Sequence, residues 1–391
     1  MSKKLLFIFL TTLLPFLIGC SGESSQQQKE GKASPEAIED FDFPVKVKYA
    51  KGFTVENHET YKVLHIKNAD QKDSEDTFVL YLKGEERPEY DGMVTNYIPI
   101  PVSKIITTSS VQIGAFPILE GEESIIGSTS FQYISNETIR QRAEDGLIKE
   151  VGMGMSNNFE LILSLEPEVL LLDYVGSPEE AEKYKASGLA LMIFNSWKDQ
   201  SLLGRAEWLK VIGLLLGKNE KADDAFQEVA TNYMAAKNLL SEDDEWIPIM
   251  YGQDYKGTWY VPGELSYPAN MFNDAKLSFD FIAGETDSQP RSIEEIFAKN
   301  RHALYWFSSF YADCETVADF ATINERYRNF DAVKKGKVIS DRKRVNGFGG
   351  NDYWESGPYR PDLLLKDLIK ITRPELLLDY ETTYWMELRR E

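Results

Sequence analysis

The chain has 391 residues, with 63 acidic and 43 basic side chains and a formal net charge of −20. A surface this negative repels phosphate backbones, which disfavours nucleic-acid binding. The length allows two ordinary domains with sizeable cores, whereas two cysteines and three histidines offer little for a disulfide framework or an imidazole-rich metal site.

Residues 1–19 are predicted to be a lipoprotein signal peptide. Lys3 and Lys4 precede an apolar run that is short for a bilayer span and ends immediately before Gly19 and Cys20. This ending resembles the lipobox of bacterial lipoproteins, which implies cleavage before Cys20 and lipidation of Cys20. An ordinary secretory signal or an uncleaved anchor is the alternative. Lipid chains would then attach the protein to a membrane at the periplasmic face of the cell envelope.

The next segments lead from a tether into a first β region. Residues 20–42 are rich in Gln, Ser, Glu and Lys, which is typical of a flexible tether. Residues 43–97 are predicted to form a small antiparallel β appendage, because apolar and polar side chains alternate in three stretches. These stretches are Val45–Tyr49, Tyr61–Lys67 and Phe78–Leu82.

From residue 98 the pattern changes to alternating strands and helices. Near-continuous apolar runs such as Val169–Asp173 are typical of buried parallel strands. Residues 98–200 are therefore predicted to form an N-terminal lobe and residues 243–391 a C-terminal lobe. Between them, residues 201–242 have helical periodicity, with a long helix predicted from about Glu220 to Leu240. The predicted fold class is α/β, with two βα lobes of mostly parallel sheets joined by one long backbone helix, plus the β appendage.

Five sets of motifs follow one another along the chain, and their order and spacing are informative. They are Lys104–Ser110, Ile125–Gly127, Asn158–Glu160 with Glu166–Leu171, Gly257–Gly263, and Arg360–Leu363 with Pro374–Glu375. With one long helix between two lobes, residues 98–380 resemble the helical-backbone class of substrate-binding proteins of ABC importers, the receptors for ferric siderophores, haem and cobalamin. The resemblance implies a monomer without a cofactor that captures a metal chelate between its lobes and delivers it to an ABC permease dimer.

Two helix starts read alike on either side of the long helix. Asn158 and Ser292 are capping residues, each followed by an apolar residue and then a glutamate, Glu160 or Glu294. The resemblance implies that these two glutamates dock into arginine-rich pockets of the permease. The alternative is that they are ordinary first-turn glutamates, stabilised by the helix dipole.

Ligand contacts are expected after the strands, because ligands gather at the carboxyl ends of parallel strands in open α/β sheets. The candidates from the two lobes are Ser109, Ser110, Phe131, Tyr133, Trp197, Trp259, Tyr260 and Trp306.

The Gly-rich stretch 346–357 adds Asn351, Tyr353 and Trp354, and the flat rings of Tyr353 and Trp354 could stack on a macrocycle or catecholate. The alternative is a surface loop whose aromatic rings fold inward. Arg360 could pair with an anionic chelate or neutralise an acid at a helix edge. Trp208 and Trp246 are assigned to packing.

Two other classes of function stay open. Asp352 and Glu355 lie three residues apart and could serve a carboxylate-dependent extracytoplasmic hydrolase. The sequence otherwise carries no Gly-x-Ser-x-Gly, His-Glu-x-x-His or phosphate-loop motif. A structural or adhesive lipoprotein would be favoured if the cleft aromatics were buried.

Overall fold

Four sheets organise the residues that the computed structural model describes, which are 40–68, 74–154, 156–173, 178–309 and 314–391. The predicted signal peptide, Cys20 and most of the predicted tether lie outside these ranges. None of the helices within these ranges is both long enough and apolar enough to cross a bilayer.

The first sheet is the predicted appendage. Its strands pair in the order β1-β2-β3-β4, antiparallel except for the parallel pair β3–β4. They are β1 (Phe53–Asn57), β2 (Tyr61–Lys67), β3 (Glu75–Leu82) and β4 (Asn96–Ile100). The buried side of this sheet belongs to the same hydrophobic core as the N-terminal lobe, since Phe53 and Phe78 pack in one cluster with Ile105.

The prediction of a strand at Val45–Tyr49 is wrong. These residues form no ladder, because the backbone N–H groups of Lys48, Tyr49 and Ala50 all donate to the buried carboxylate of Glu207, at 2.6 to 3.1 Å.

The N-terminal lobe is built on a second sheet with strand order β10-β9-β5-β6-β7-β8, parallel except for the edge pair β7–β8. Its strands are β5 (Ile105–Thr107), β6 (Ile125–Thr129), β7 (Lys149–Met153), β8 (Ser156–Asn157), β9 (Val169–Leu172) and β10 (Leu191–Ile193). Its helices are α1 (Ser110–Ile113), α2 (Ala115–Ile118), α3 (Glu137–Glu144), α4 (Phe159–Ser164) and α5 (Pro178–Ala186).

The lobes are joined by helices α6 (Leu202–Glu207), α7 (Leu209–Leu216) and α8 (Asn219–Lys237). Gly217, with φ of 62°, ends α7 in the left-handed conformation that glycine adopts without strain. We call α8 the linker helix. Its Ala222 packs in the core of the N-terminal lobe, whereas its Phe226, Ala230 and Tyr233 pack in that of the C-terminal lobe. The helix therefore bridges the two lobes, as predicted.

The C-terminal lobe contains a mainly parallel sheet with strand order β14-β11-β16-β17-β18 and a small antiparallel sheet, β12-β13-β15. The strands are β11 (Ile247–Tyr251), β12 (Asp254–Tyr255), β13 (Thr258–Val261), β14 (Leu277–Ser278), β15 (Gln289–Arg291), β16 (Tyr305–Ser308), β17 (Val338–Ser340) and β18 (Met386–Glu387). The helices are α9 (Tyr267–Asp274), α10 (Ile293–Asn300), α11 (Val317–Ile323), α12 (Asp331–Lys334) and α13 (Pro361–Thr372).

Residues 40–53 form a strap across the inter-lobe helices. The carboxylate of Asp40 accepts hydrogen bonds from the backbone N–H groups of Asn219 and Glu220, the latter at 2.9 Å, and so caps the linker helix. The ring of Tyr49 packs on Phe226 of the same helix, with 5.9 Å between ring centroids.

Candidate functional site

A central cavity of about 320 Å³ opens between the two lobes. On its N-terminal side it lies where β5 and β6 end, as expected for parallel strands. Its lining combines Ser and Thr hydroxyl groups of the N-terminal lobe with polar and aromatic side chains of the C-terminal lobe. The lining residues are Thr108, Ser109, Ser110, Ile113, Thr129, Ser130, Tyr133, Ile134, Gly154, Ser309, Arg342, Gly349, Asn351 and Trp354.

Hydrogen bonds fix the hydroxyl groups at these strand ends. The Thr108 hydroxyl donates to the Leu171 carbonyl at 3.2 Å and accepts from the backbone N–H of Asp173 at 2.9 Å. The Thr129 hydroxyl donates to the Thr108 carbonyl at 2.8 Å. The strand ends thus form a rigid polar rim.

Ser130 turns the chain sharply at the end of β6. Its φ of 52° is left-handed, which is uncommon for a residue other than glycine. Its hydroxyl accepts a hydrogen bond from the Gly154 N–H at 2.8 Å, and both residues line the cavity. A sparsely populated conformation is therefore held in place at the site.

A clasp loop, residues 346–357, carries the C-terminal side of the cavity and also binds the opposite lobe. The Asn346 side-chain amide donates to the Ile134 carbonyl at 2.7 Å. The Glu355 carboxylate accepts from the backbone N–H groups of Ser135 and Asn136, at 2.6 and 2.7 Å. These bonds extend from the C-terminal lobe to the N-terminal edge of α3.

Two glycines allow this close approach of the lobes. A Cβ atom on Gly114 would lie 1.9 Å from the Glu355 carbonyl oxygen, and one on Gly350 would lie 2.9 Å from the Tyr133 backbone. Neither position could accept a side chain without moving the other lobe.

A lateral cavity of about 480 Å³ adjoins the central one, and Ser309 and Trp354 line both. Its other contacts come mainly from the C-terminal lobe. They are Trp197, Lys198, Tyr251, Gly252, Tyr260, Pro262, Ser266, Tyr267, Pro268, Thr286, Asp287 and Ser288. Both volumes fall in the range of small-molecule sites.

Three carboxyl groups next to residues that line the cavities have raised pKa values. Burial raises the pKa of Asp173 to about 6, against the opposing effects of the neighbouring Ser109 hydroxyl and the Arg205 charge. Burial likewise raises the pKa of Asp341 to about 6 and that of Glu355 to about 7. Within the described ranges, no cluster of three His, Cys, Asp or Glu side chains is arranged to hold a metal ion.

Comparison with known proteins identifies the family. A family model described as periplasmic binding protein matches residues 105–345, which is more than half of the chain. The chain belongs to the periplasmic binding protein family.

Two lipoproteins of Methanocaldococcus jannaschii are similar to the chain. One is 24% identical over 75% of this chain and 70% of its own length, and the other is 25% identical over 84% and 83%.

Among solved structures, a periplasmic binding protein from Veillonella parvula is similar, with a TM-score of 0.56, 16% identity, and 81% of this chain and 99% of that chain covered. The haem-binding protein HutB of Vibrio cholerae gives a TM-score of 0.52 at 13% identity, covering 67% and 99%. The vitamin B12 binding protein BtuF of the same organism gives 0.50 at 16% identity, covering 71% and 98%. At these identities the likeness concerns the fold.

In this periplasmic binding protein, several predicted ligand residues come together. Ser109, Ser110, Tyr133, Asn351 and Trp354 line the central cavity. Trp197, Tyr260 and again Trp354 line the lateral cavity. Phe131 lies close by in sequence, but its side chain packs on the core of the N-terminal lobe and does not line either cavity.

Three predicted aromatic contacts are placed elsewhere and need correction. Trp259 and Trp306 are fully buried in the C-terminal lobe, where their indole N–H groups donate to the backbone carbonyls of Tyr251 and Gly252, at 3.1 and 2.8 Å. Tyr353 is buried at 4% exposure and packs against Trp385. Hydrophobic burial, not ligand contact, accounts for these rings.

Arg360 is also engaged away from the cavities. Its guanidinium donates two hydrogen bonds to the Asp362 carboxylate, both at 2.9 Å, and this pairing raises the Arg360 pKa. The interpretation as a partner for a helix-edge acid therefore fits, and Arg360 lines neither cavity.

The proposed docking glutamates sit where the sequence places them, in the first turns of α4 and α10. Both are exposed, and Asn158 and Ser292 cap their helices. Glu295, not Glu294, completes the capping box of α10, whereas Glu294 forms an ion pair with Arg326.

Several lining residues were missed by the sequence reasoning. Ser309 directly follows β16 and Arg342 lies two residues after β17, so the strand-end rule could have found them as it found Ser109.

Proposed function

We propose that this protein is an extracytoplasmic, lipid-anchored substrate-binding protein. It captures a metal chelate, namely a ferric siderophore, haem or cobalamin, between its lobes and delivers it to an ABC permease. The observation that carries this proposal is the central cavity, which is built jointly by the strand ends of one lobe and the clasp loop of the other. A ligand held there contacts both lobes at once.

The chemistry of the lining suits capture without reaction. Ser and Thr hydroxyls can donate and accept hydrogen bonds, and the half-buried ring of Trp354 offers a flat face to both cavities. The linker helix packs into both cores, so large lobe movements would break hydrophobic contacts. We therefore expect a largely preformed cleft.

The lipid anchor is supported by two independent observations. The sequence ends its apolar leader at Cys20, and both archaeal relatives are lipoproteins. The proteins named for haem and vitamin B12 binding share the fold and support the choice of candidate ligands.

A hydrolase based on Asp352 and Glu355 is disfavoured by the engagement of both side chains. Asp352 forms an ion pair with Arg344 at 2.9 Å, and Glu355 accepts two backbone N–H groups from the other lobe. The two residues border a separate recess and do not line the central cavity. Their hydrogen bonds already have a structural role.

Native mass spectrometry of the purified protein mixed with a ferric tricatecholate, haem and cyanocobalamin tests the proposal. We expect a one-to-one complex with one of these chelates, whose mass is unchanged on release. Failure of all three to bind, or a change in the mass of the released ligand, would overturn it.

A further inference from the structure

A polar recess of about 560 Å³ lies beside the clasp loop, and both lobes line it. The N-terminal lobe contributes Gly114, Ser135 and Glu137, and the C-terminal lobe contributes Arg344 and Glu355. Glu137 and Arg344 are exposed, so the recess lies at the protein surface. It shares no lining residue with the central or the lateral cavity and is therefore a separate space between the lobes.

A thin wall separates this recess from the central cavity. At four places along the chain, two consecutive residues line the two spaces, the first the central cavity and the second the recess. These pairs are Ile113 and Gly114, Ile134 and Ser135, Asn351 and Asp352, and Trp354 and Glu355. Two pairs belong to the N-terminal lobe and two to the clasp loop, so the contact between the lobes is itself the wall.

The hydrogen bonds across this wall come from the two ends of the clasp loop. Asn346, at its start, donates to the Ile134 carbonyl. Glu355, near its end, accepts from the backbone N–H groups of Ser135 and Asn136. The Glu355 side chain is 2% exposed, and hydrogen bonds to a carboxylate are stronger than those between neutral groups. Glu355 is therefore the main fastening of the loop.

The tip of the clasp loop, by contrast, is loosely packed. A Cβ atom on Gly347 or Gly349 would meet no heavy atom within 4 Å. The ring of Phe348 between them is 66% exposed and contacts the other lobe through Arg140, whose guanidinium carbon lies 4.1 Å from the ring centroid. A loop with a free tip and fastened ends can move without disturbing a core.

We propose that the clasp loop is a gate, held shut by Glu355, whose opening joins the recess to the central cavity. The central cavity alone, at about 320 Å³, is at the lower end of the range for small-molecule sites, so a bulky ligand needs the additional space. This role rests on the proposed function, since the gate serves the entry of a chelate.

Ionisation of Glu355 favours the open gate. In the closed gate, burial raises the pKa of its carboxyl to about 7, against the effect of the two N–H groups, while Asp352 raises it further and Arg140 lowers it. Glu137 and Arg344 also line the recess, and Arg344 pairs with Asp352 at 2.9 Å. In the open gate the carboxyl faces water, where its pKa is ordinary. The closed gate thus binds the proton more tightly, and opening becomes more favourable as the pH rises from about 5 to 7.

Hydrogen exchange of the Ser135 and Asn136 amides measures the gate without any ligand, because the Glu355 carboxylate is their acceptor. Corrected for the intrinsic exchange rate, their protection should fall between pH 5 and 7 by up to about tenfold per pH unit. Glu355→Gln keeps the shape of the side chain and cannot ionise, so its protection should not depend on pH in this range. Protection that rises with pH in the unmodified protein, or an unchanged pH dependence in Glu355→Gln, would overturn the role of Glu355.

Access to the central cavity gives a second readout. Ser110, which lines it, is changed to Cys in a Cys314→Ser background, and that background serves as the blank. The thiol then reacts with a small reagent, methyl methanethiosulfonate, or a bulky one, fluorescein maleimide. Glu355→Ala removes the fastening, so the rate with the bulky reagent should rise on the order of 10-fold or more, and that with the small reagent should stay within about threefold.

Glu295→Ala is the matched control. Its carboxylate accepts the backbone N–H of Ser292 at 2.8 Å within one lobe, so its loss should change neither rate. If Glu355→Ala does not fold, the ratio of the bulky to the small rate is followed from pH 5 to 7, because the ratio cancels the ionisation of the thiol. This ratio should rise with pH when Glu355 is present and stay constant in Glu355→Gln.

A bulky-to-small ratio that changes neither in Glu355→Ala nor with pH would refute the gate. These measurements contain no chelate, so that result would leave the proposed function standing. If the gate opens as expected but no chelate binds, the gate stands and the proposed function fails.

Discussion

The carboxylate of Glu355, in the C-terminal lobe, accepts a hydrogen bond from the backbone N–H of Ser135, in the N-terminal lobe, at 2.6 Å. The same carboxylate is 2% exposed, and burial raises its pKa to about 7. Asp352 adds to this rise, whereas Arg140 and the backbone N–H groups of Ser135 and Asn136 oppose it. One side chain thus couples lobe contact to protonation.

Replacement of this side chain should change how stability depends on pH. The folded protein holds the Glu355 proton more tightly than the unfolded chain, so ionisation above pH about 5 favours unfolding. Relative to Glu355→Gln, the free energy of unfolding of the unmodified protein should fall with rising pH, by up to about 1.4 kcal/mol per pH unit between pH 5 and 7. Urea titrations of both proteins across this range measure the two free energies of unfolding. If the unmodified protein gained stability relative to Glu355→Gln as the pH rises, the raised pKa of Glu355 would be contradicted.

Trp354 is expected to contribute binding and little to folding. Its ring is half-buried and lines both cavities, so Trp354→Ala should raise the Kd of the bound chelate about 10-fold or more. The exposed Trp246, which rests on Lys276 and lines neither cavity, is the control. Isothermal titration calorimetry of Trp354→Ala and Trp246→Ala measures the two Kd values. If the two variants bind the chelate equally tightly, Trp354 is not a ligand contact.

Trp306 should behave in the opposite way. It is fully buried among Phe320, Tyr327 and Phe330, so Trp306→Ala should lower the free energy of unfolding by about 3–5 kcal/mol. Denaturant unfolding followed by circular dichroism measures this loss. A loss below about 1 kcal/mol together with weakened ligand binding would return Trp306 to the list of ligand contacts.

The docking proposal concerns Glu160 and Glu294. Both are exposed and line neither the central nor the lateral cavity, so the double change to Ala should leave chelate affinity unchanged and abolish uptake by cells. A matched control changes Glu182 and Glu325 to Ala, which removes the same charge elsewhere. Normal uptake in the Glu160 and Glu294 double variant would show that other residues contact the permease.

The sequence predicted the fold and part of the lining of the central cavity, for identifiable physical reasons. Long apolar runs and the periodicity of the linker helix are strong signals, and the strand-end rule located Ser109 and Ser110. The rule cannot tell which of two neighbouring aromatic side chains on a strand faces the cleft. On β13, Trp259 is buried and its neighbour Tyr260 is exposed, because successive side chains alternate between the two faces.

Other differences arise from contacts distant in sequence. Trp306 lies on a central parallel strand covered on both faces, where aromatic residues belong to the core. The strand expected at Val45–Tyr49 is prevented by Glu207, about 160 residues further along the chain, whose carboxylate binds the N–H groups that a ladder would need. No local pattern contains this information.

The strap also determines where the proposed lipid anchor would act on the body of the protein. Its first described residue, Asp40, is fastened to the start of the linker helix, and Lys210 binds the carbonyl of Lys46 beside it at 2.6 Å. A pull on the chain ahead of Asp40 is therefore transmitted to the pivot between the lobes and not to either rim of the cleft. In the proposed lipid-anchored protein, an attachment at this position would leave both rims of the cleft unobstructed.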